Sequence, residues 1–132
     1  MSFIMTEKEI IKTNDAPAPI GPYSQAVKVG NLIFVSGQGG VDPKTGKVMK
    51  GDIRNQTKQA LENVRAILNT VGLTLDNVVK VTVFLRDIKF FPEMNIVYKE
   101  YFKDNQPART TIQAVPPGDL DVEIEVIAYV PK

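Results

Sequence analysis

The stretch QAVKV-GN-LIFVSG, residues 25–37, constrains the fold more than any other part of the chain. Two runs rich in β-branched and apolar residues flank a Gly-Asn pair, and a two-residue loop of that kind is a strong hairpin signal. Placing Gly30 and Asn31 in the loop fixes the register. Val29 then faces Leu32, Gln25 faces Ser36, Ser24 lies opposite Gly37 and Tyr23 opposite Gln38. The hairpin therefore brings GPY (21–23) and SGQ (36–38) together at one end.

The remaining elements follow from punctuation and period. EIIK (9–12) is a short first strand, and NDAPAPIGPY (14–23), with three prolines and a glycine, is an extended loop after it. DPKTGK (42–47) is a turn. The next helix has Asp52 as N-cap and Gly72 just past its end, with Ile53, Ala60, Leu61, Val64, Ile67, Leu68 and Val71 along its apolar stripe. NVVKVTVFL (77–85) is nearly continuous in apolar and β-branched residues, which predicts a central strand covered on both faces. A second helix opens near Pro92 and runs to about Phe102. RTTIQAV and DVEIEVIAYV are the last two strands, separated by the PPGD turn. The order β-β-β-α-β-α-β-β predicts one α+β domain over residues 1–132, a six-stranded mixed sheet with two helices on one face. Residues 77–115 form a strand–helix–strand unit that favours a right-handed parallel crossover. The last strand then slots antiparallel between earlier ones.

Composition narrows the chemistry. The chain has no cysteine, no histidine and no tryptophan, which excludes disulfides, thiolate catalysis and thiolate zinc sites and makes a transition-metal site improbable. Sixteen basic against fifteen acidic residues, with no basic block, argue against nucleic acid as the partner. No apolar run reaches the ~20 residues of a membrane span. The N-terminus MSFIMTEKEI lacks the basic and apolar regions of an export signal, so the expected compartment is the cytoplasm.

Several residues depart from these patterns. Asn95 sits among Phe91, Met94, Tyr98, Tyr101 and Phe102 on one helical face, where it either ties down a neighbouring loop or serves a site directly. In the last strand Val122, Ile124, Val126, Ala128 and Val130 form one face, and Glu123 and Glu125 lie on the other. Those glutamates point into solvent, pair with lysines, or have a function that explains them. Arg109 in PARTTIQAV is a surface or ion-paired residue, or else a planar fork held for a carboxylate. Tyr23 taken alone is a half-buried aromatic. SGQGG (36–40) lacks the lysine and spacing of a phosphate loop; its glycines permit unusual dihedrals or expose backbone N–H groups to a ligand.

Taken together, APIGPYSQA, VSGQGGVDPKTG, PEMNIVYKEYF and PARTTIQAVPPGDLDVEIEV resemble the RidA/YjgF family of reactive enamine/imine deaminases, from about residue 9 to residue 130. The resemblance implies a chorismate-mutase-like fold and a homotrimer with a site in each cleft between subunits. It implies that Arg109 holds the substrate carboxylate and that Glu123 positions and activates the attacking water. Tyr23, Ser36, Gly37 and Asn95 would line the pocket. Thr111 would line it too, at a position where the family often has cysteine, so a thiol-dependent role is not carried over.

The implied reaction converts 2-enamine or 2-imino acids, released by pyridoxal-phosphate-dependent serine and threonine dehydratases, into 2-keto acids and ammonia. An electrophilic C=N needs no metal, cofactor or covalent nucleophile, only orientation, a positioned water and a proton shuttle. Three other readings stay open at this point. One is a non-catalytic regulator that binds keto or imino acids in the same pocket. Another is a ribonuclease or translation inhibitor, a role also reported within that family. The third is a purely structural or chaperone-like oligomer. Arg109 and Glu123, near the starts of two antiparallel strands, should lie at least ~13 Å apart within one chain. A shared site then takes one residue from each of two subunits.

Overall fold

The computed structural model describes residues 7–49 and 51–132. Residues 1–6, on which most of the N-terminal reading falls, lie outside the described residues. Six strands form one sheet: β1 (Glu9–Ile11), β2 (Ala26–Val29), β3 (Leu32–Gly39), β4 (Val78–Leu85), β5 (Ala108–Gln113) and β6 (Val122–Tyr129). Their spatial order is β1-β2-β3-β6-β4-β5. β4 and β5 are parallel and every other pair is antiparallel, with β6 inserted between β3 and β4.

The hairpin register matches the reading of its turn, with Val29 opposite Leu32 and Ala26 opposite Val35. Gly30 adopts φ 58° while Asn31 keeps a negative φ, so only the first loop residue needs the freedom glycine provides. The regular ladder stops at Ala26–Val35. Beyond it, the Ser36 N–H donates to the Gln25 carbonyl at 2.9 Å and Ser36 Oγ to the Ser24 carbonyl at 2.7 Å. The predicted facing of Ser24 with Gly37 and Tyr23 with Gln38 is not continued as a ladder. On the other side of β3, Val35 pairs with Val126 and Gln38 with Ile124, so Ser36 and Gly37 together oppose Glu125 in a β-bulge.

Helix α1 (Ile53–Asn69) begins where Asp52 accepts the Asn55 N–H at 2.9 Å. It ends in a Schellman pairing, Leu73 N–H to Leu68 C=O and Gly72 N–H to Asn69 C=O, with Gly72 at φ 77°. Helix α2 (Phe91–Phe102) carries Pro92 in its first turn. Both helices pack on one face of the sheet. Ile33 and Val35 of β3, Val81, Val83 and Leu85 of β4, and Val122, Ile124 and Val126 of β6 meet Leu61, Val64, Ile67, Leu68 and Met94 beneath them.

Among the described residues nothing covers the opposite face, which departs from the expectation for β4. Its helix-side residues are buried, but Val79 is 42% exposed and Lys80, Thr82 and Phe84 are only partly covered. The apolar run is long because both faces are apolar, yet two helices on one side shield only one of them. Phe34 and Tyr129 extend the exposed apolar surface across neighbouring strands.

The glycines of SGQGG also depart from expectation. Gly37, Gly39 and Gly40 have no positive φ, so unusual dihedrals are not their purpose. They permit close approach instead. A Cβ on Gly39 would meet the Leu120 side chain at 2.4 Å, and one on Gly40 would meet the Gln56 backbone at 2.6 Å. The proline-rich loop is fixed from below by Gln25, whose Nε2 donates to the carbonyls of Thr13, Ala16 and Pro17 while its Oε1 accepts the Thr13 N–H. Nothing in the sequence distinguished Gln25 from an ordinary strand glutamine.

Candidate active site

Arg109 is the second residue of β5, directly after the Pro107–Ala108 entry. Its register partner on β4 is Val81, which is fully buried beneath the helices, so Arg109 projects toward the helix face. There α2 presents Phe91, Asn95 and Tyr98, spaced four and three apart on one stripe. Arg109 Nη1 donates to Asn95 Oδ1 at 2.8 Å. The guanidinium carbon lies 4.6 Å from the Tyr98 ring centroid and 5.5 Å from that of Phe91. Among the described residues no carboxylate pairs with Arg109. It is therefore neither a free surface cation nor half of an ion pair, and Asn95 anchors this arginine rather than a loop.

Arg109 faces a concavity of about 410 Å³ that Asn95, Tyr98, Lys99, Gln106 and Pro107 also line. Tyr98 is only 5% exposed, and its hydroxyl has no hydrogen-bond partner. Burial pushes that phenol up to about 12, opposed by the Arg109 charge and by the approach of its guanidinium to the hydroxyl. Thr111 pairs with Val83 and shares the face of Arg109; its Oγ1 is buried without a partner. A larger concavity of about 500 Å³, walled by Glu62, Arg65 and Tyr101 among others, contains none of the candidate site residues.

The other group of predicted residues gathers on the opposite face. Glu123 alternates with Val122 and Ile124, both fully buried on the helix side, so its side chain projects from the uncovered side. Its carboxylate rests on Gly37, where an added Cβ would lie 2.0 Å from Glu123 Oε1. The bulge at Ser36–Gly37 and the missing side chain together make that seat. Burial raises the Glu123 carboxyl above its ordinary range, and the Glu125 charge adds to the shift. Glu125 itself is exposed, which fits the solvent-facing reading for that residue alone. Tyr23 stands 48% exposed at the end of its loop; its hydroxyl accepts the Ile20 N–H at 3.3 Å and its ring lies against Gly21.

The chain therefore carries two half-sites. Asn95, Arg109 and Thr111 form one; Ser36, Gly37 and Glu123 form the other, with Tyr23 near the Ser36 end of the hairpin. Glu123 aligns with Phe84 on β4 and Arg109 with Val81, which places them about 14 Å apart along and across the sheet. No single small ligand spans that distance through the sheet. Among the described residues no three acidic side chains gather closely enough to hold a metal ion.

The sequence pointed to Asn95 as an amide out of place in an aromatic stripe. The part played by Phe91 and Tyr98 went unread, because aromatic residues at helical spacing are indistinguishable from core until their neighbour across the sheet is known.

The family model described as endoribonuclease L-PSP matches residues 13–130. A RutC family protein of Pyrococcus horikoshii is 54% identical over 123 residues, covering 92% of this chain and 98% of the relative. A human 2-iminobutanoate/2-iminopropanoate deaminase is 47% identical over 123 residues, covering 92% and 89%. The crystal structure of E. coli TdcF with bound serine superposes with a TM-score of 0.88 at 40% identity, covering 93% of this chain and 99% of that one.

Proposed function

Because the chain belongs to the endoribonuclease L-PSP family, also called RidA/YjgF, we propose that it hydrolyses reactive 2-imino acids, and the enamines that tautomerise to them, to 2-keto acids and ammonia. The observation that carries this reading is the state of Arg109. Without a carboxylate partner among the described residues, it is half-buried, hydrogen-bonded to a neutral amide and facing a concavity. Such a group is prepared for a carboxylate, which a planar fork grips through two parallel hydrogen bonds. The deaminase name of the human relative and the serine in the TdcF structure, an amino acid with a carboxylate of its own, support the same substrate class.

The chemistry asks little of the side chains. With the substrate carboxylate on Arg109, the imine carbon is oriented for water. Glu123 accepts a proton from that water as the new C–O bond forms and the C=N electron pair moves to nitrogen. Glu123 returns that proton to the nitrogen, and as the C–N bond breaks the carbinol O–H gives its own proton up to the departing nitrogen, leaving the C=O of a keto acid and releasing ammonia. A carboxylate whose pKa is raised is the stronger base once ionised, which suits this role. Tyr23, Ser36, Gly37 and Thr111 shape the pocket, and no cofactor takes part.

The two half-sites meet between subunits of a homotrimer, Arg109 coming from one chain and Glu123 from its neighbour. Their opposite faces and the uncovered apolar sheet surface support that assembly. Among the described residues no helix is long and apolar enough to cross a membrane. The RNA cleavage in the family's description finds less support, since the half-sites hold no histidine and no aromatic-rich basic stripe. The test is a threonine dehydratase assay that follows keto acid formation. Adding this protein should accelerate the step after the dehydratase, and an unchanged rate would overturn the reading.

A further inference from the structure

We propose that Tyr98, with Asn95 and Phe91, is a positioning residue that sets the plane of the Arg109 guanidinium, and that the Tyr98 ring rather than its hydroxyl does the setting. Its bearing on substrate rests on the reading of Arg109 as the carboxylate receptor. The arrangement of the side chains stands apart from that reading.

An arginine on an edge strand has four rotatable side-chain bonds and five N–H donors, and left to itself it samples many orientations. Here three contacts remove that freedom. The 2.8 Å bond from Nη1 to Asn95 fixes one corner of the fork. The Tyr98 and Phe91 rings, 4.6 and 5.5 Å from the guanidinium carbon, lie within cation–π range. All three contacts come from one stripe of α2, a single rigid element, so they move together. Donors that Asn95 does not occupy remain for a ligand.

Of the two rings, Tyr98 is the better fixed. It is 5% exposed, whereas Phe91 is 37% exposed. Its centroid lies 4.6 Å from that of Phe102, one turn further along α2, with the rings inclined at 39°. The guanidinium also approaches the hydroxyl, but no hydrogen bond there has standard geometry, and the ring face 4.6 Å away is the better-defined contact with Arg109. With its phenol pushed up to about 12, Tyr98 stays neutral and attracts the cation through its face, not as a phenolate.

The experiment compares Tyr98→Phe, Tyr98→Leu and Asn95→Ala in the full-length protein. Three readouts are used: the Arg109 Nε–Hε resonance, the affinity for 2-oxobutanoate, and the division of the imine-hydrolysis defect between KM and kcat. In Tyr98→Leu the Arg109 resonance should lose its ring-current shift. 2-Oxobutanoate should bind about tenfold more weakly, the scale of a partly desolvated cation–π contact. KM should rise by a similar factor with kcat nearly unchanged. Tyr98→Phe should restore all three, which a general packing role for the hydroxyl would not predict. Asn95→Ala should free the Nη1 corner and weaken binding without moving the ring-current shift, and it decides the matter if Tyr98→Leu fails to fold.

Equal losses in Tyr98→Phe and Tyr98→Leu would overturn the claim for the ring. An unshifted Arg109 resonance in wild type would overturn the positioning role altogether. If wild type and Arg109→Ala bind 2-oxobutanoate equally, the receptor reading fails, while the resonance still decides whether Tyr98 sets the guanidinium.

Discussion

Arg109 and Glu123 lie on opposite faces of one sheet, aligned with Val81 and Phe84 of the strand between them. Val81 is sealed under the helices while Phe84 stands on the uncovered side. A reaction that uses both residues therefore needs two chains.

Complementation checks that requirement. Arg109→Ala and Glu123→Ala proteins, each inactive alone, are unfolded, mixed in equal amounts and reassembled. A site needs an intact arginine from one subunit and an intact glutamate from its neighbour, so about a quarter of wild-type sites should return in a cyclic trimer. Mixed trimers verified by mass and still inactive would rule out shared sites.

Removing the guanidinium should act on substrate and not on folding. Arg109→Ala is expected to weaken 2-oxobutanoate binding by roughly 10- to 100-fold, the range for a lost charge-assisted hydrogen bond. Arg109→Lys should recover little, because a point charge cannot reproduce the planar fork. Circular dichroism and the thermal midpoint should stay close to wild type, since Arg109 is partly exposed on an edge strand.

Gly37 is predicted to be intolerant of any side chain. A Cβ there would lie 2.0 Å from Glu123 Oε1 and 2.7 Å from its carboxyl carbon. Gly37→Ala should therefore destabilise the fold by about 1–3 kcal/mol, as overpacking does, and displace the carboxylate. Much of that loss should return in Gly37→Ala/Glu123→Ala. Chemical denaturation of the four proteins in a double-mutant cycle measures the coupling; additive effects would show that the two positions do not meet.

Glu123 should make stability depend on pH with a defined sign. Its folded-state pKa is raised, mainly by burial, so the folded protein holds its proton at pH values where the unfolded chain has released it. The favourable contribution is complete below the unfolded value, about 4.3, and is lost as pH rises through the folded value. Once ionised, the carboxylate thus opposes folding. Glu123→Gln should raise the thermal midpoint at pH 7 and lose that advantage near pH 4. Midpoints measured across this range for both proteins decide it, and a Gln variant less stable at pH 7 would contradict the sign.

Tyr98→Phe should not destabilise the protein. It removes a buried hydroxyl that has no partner and leaves the ring in place. A fall in thermal midpoint of several degrees would mean that the hydroxyl is engaged in solution.

Much of the architecture was legible because its signals are local. Gly30–Asn31 fixed the hairpin register, Asp52 and Gly72 bounded α1, and Pro92 marked the start of α2. Each works within a few residues, through the φ/ψ freedom of glycine, a side chain capping an N–H, or a ring that pre-sets φ. Glu123 could likewise be placed opposite Val122 and Ile124 from strand alternation alone.

Other features depended on neighbours distant in sequence. The continuous apolar run of β4 predicted cover on both faces, but helix placement left one face open. The glycines of SGQGG were read as permitting unusual dihedrals or exposing backbone N–H groups; their φ angles set the first aside, and they give clearance to Glu123, Leu120 and Gln56.

By itself the sequence determined the order of elements, the hairpin register and the residues that break pattern, because these follow from short-range sterics and periodicity. It also carried the motifs by which the family is identified. Tertiary structure alone decided which side of the sheet Arg109 occupies. On an edge strand where polar Arg109 and Thr111 face the helices and Ile112 faces outward, alternation gives no reliable sign, and pairing with β4 sets it. That pairing turned Arg109 toward Asn95 and Tyr98 and away from Glu123, and so divided the candidate site into two halves.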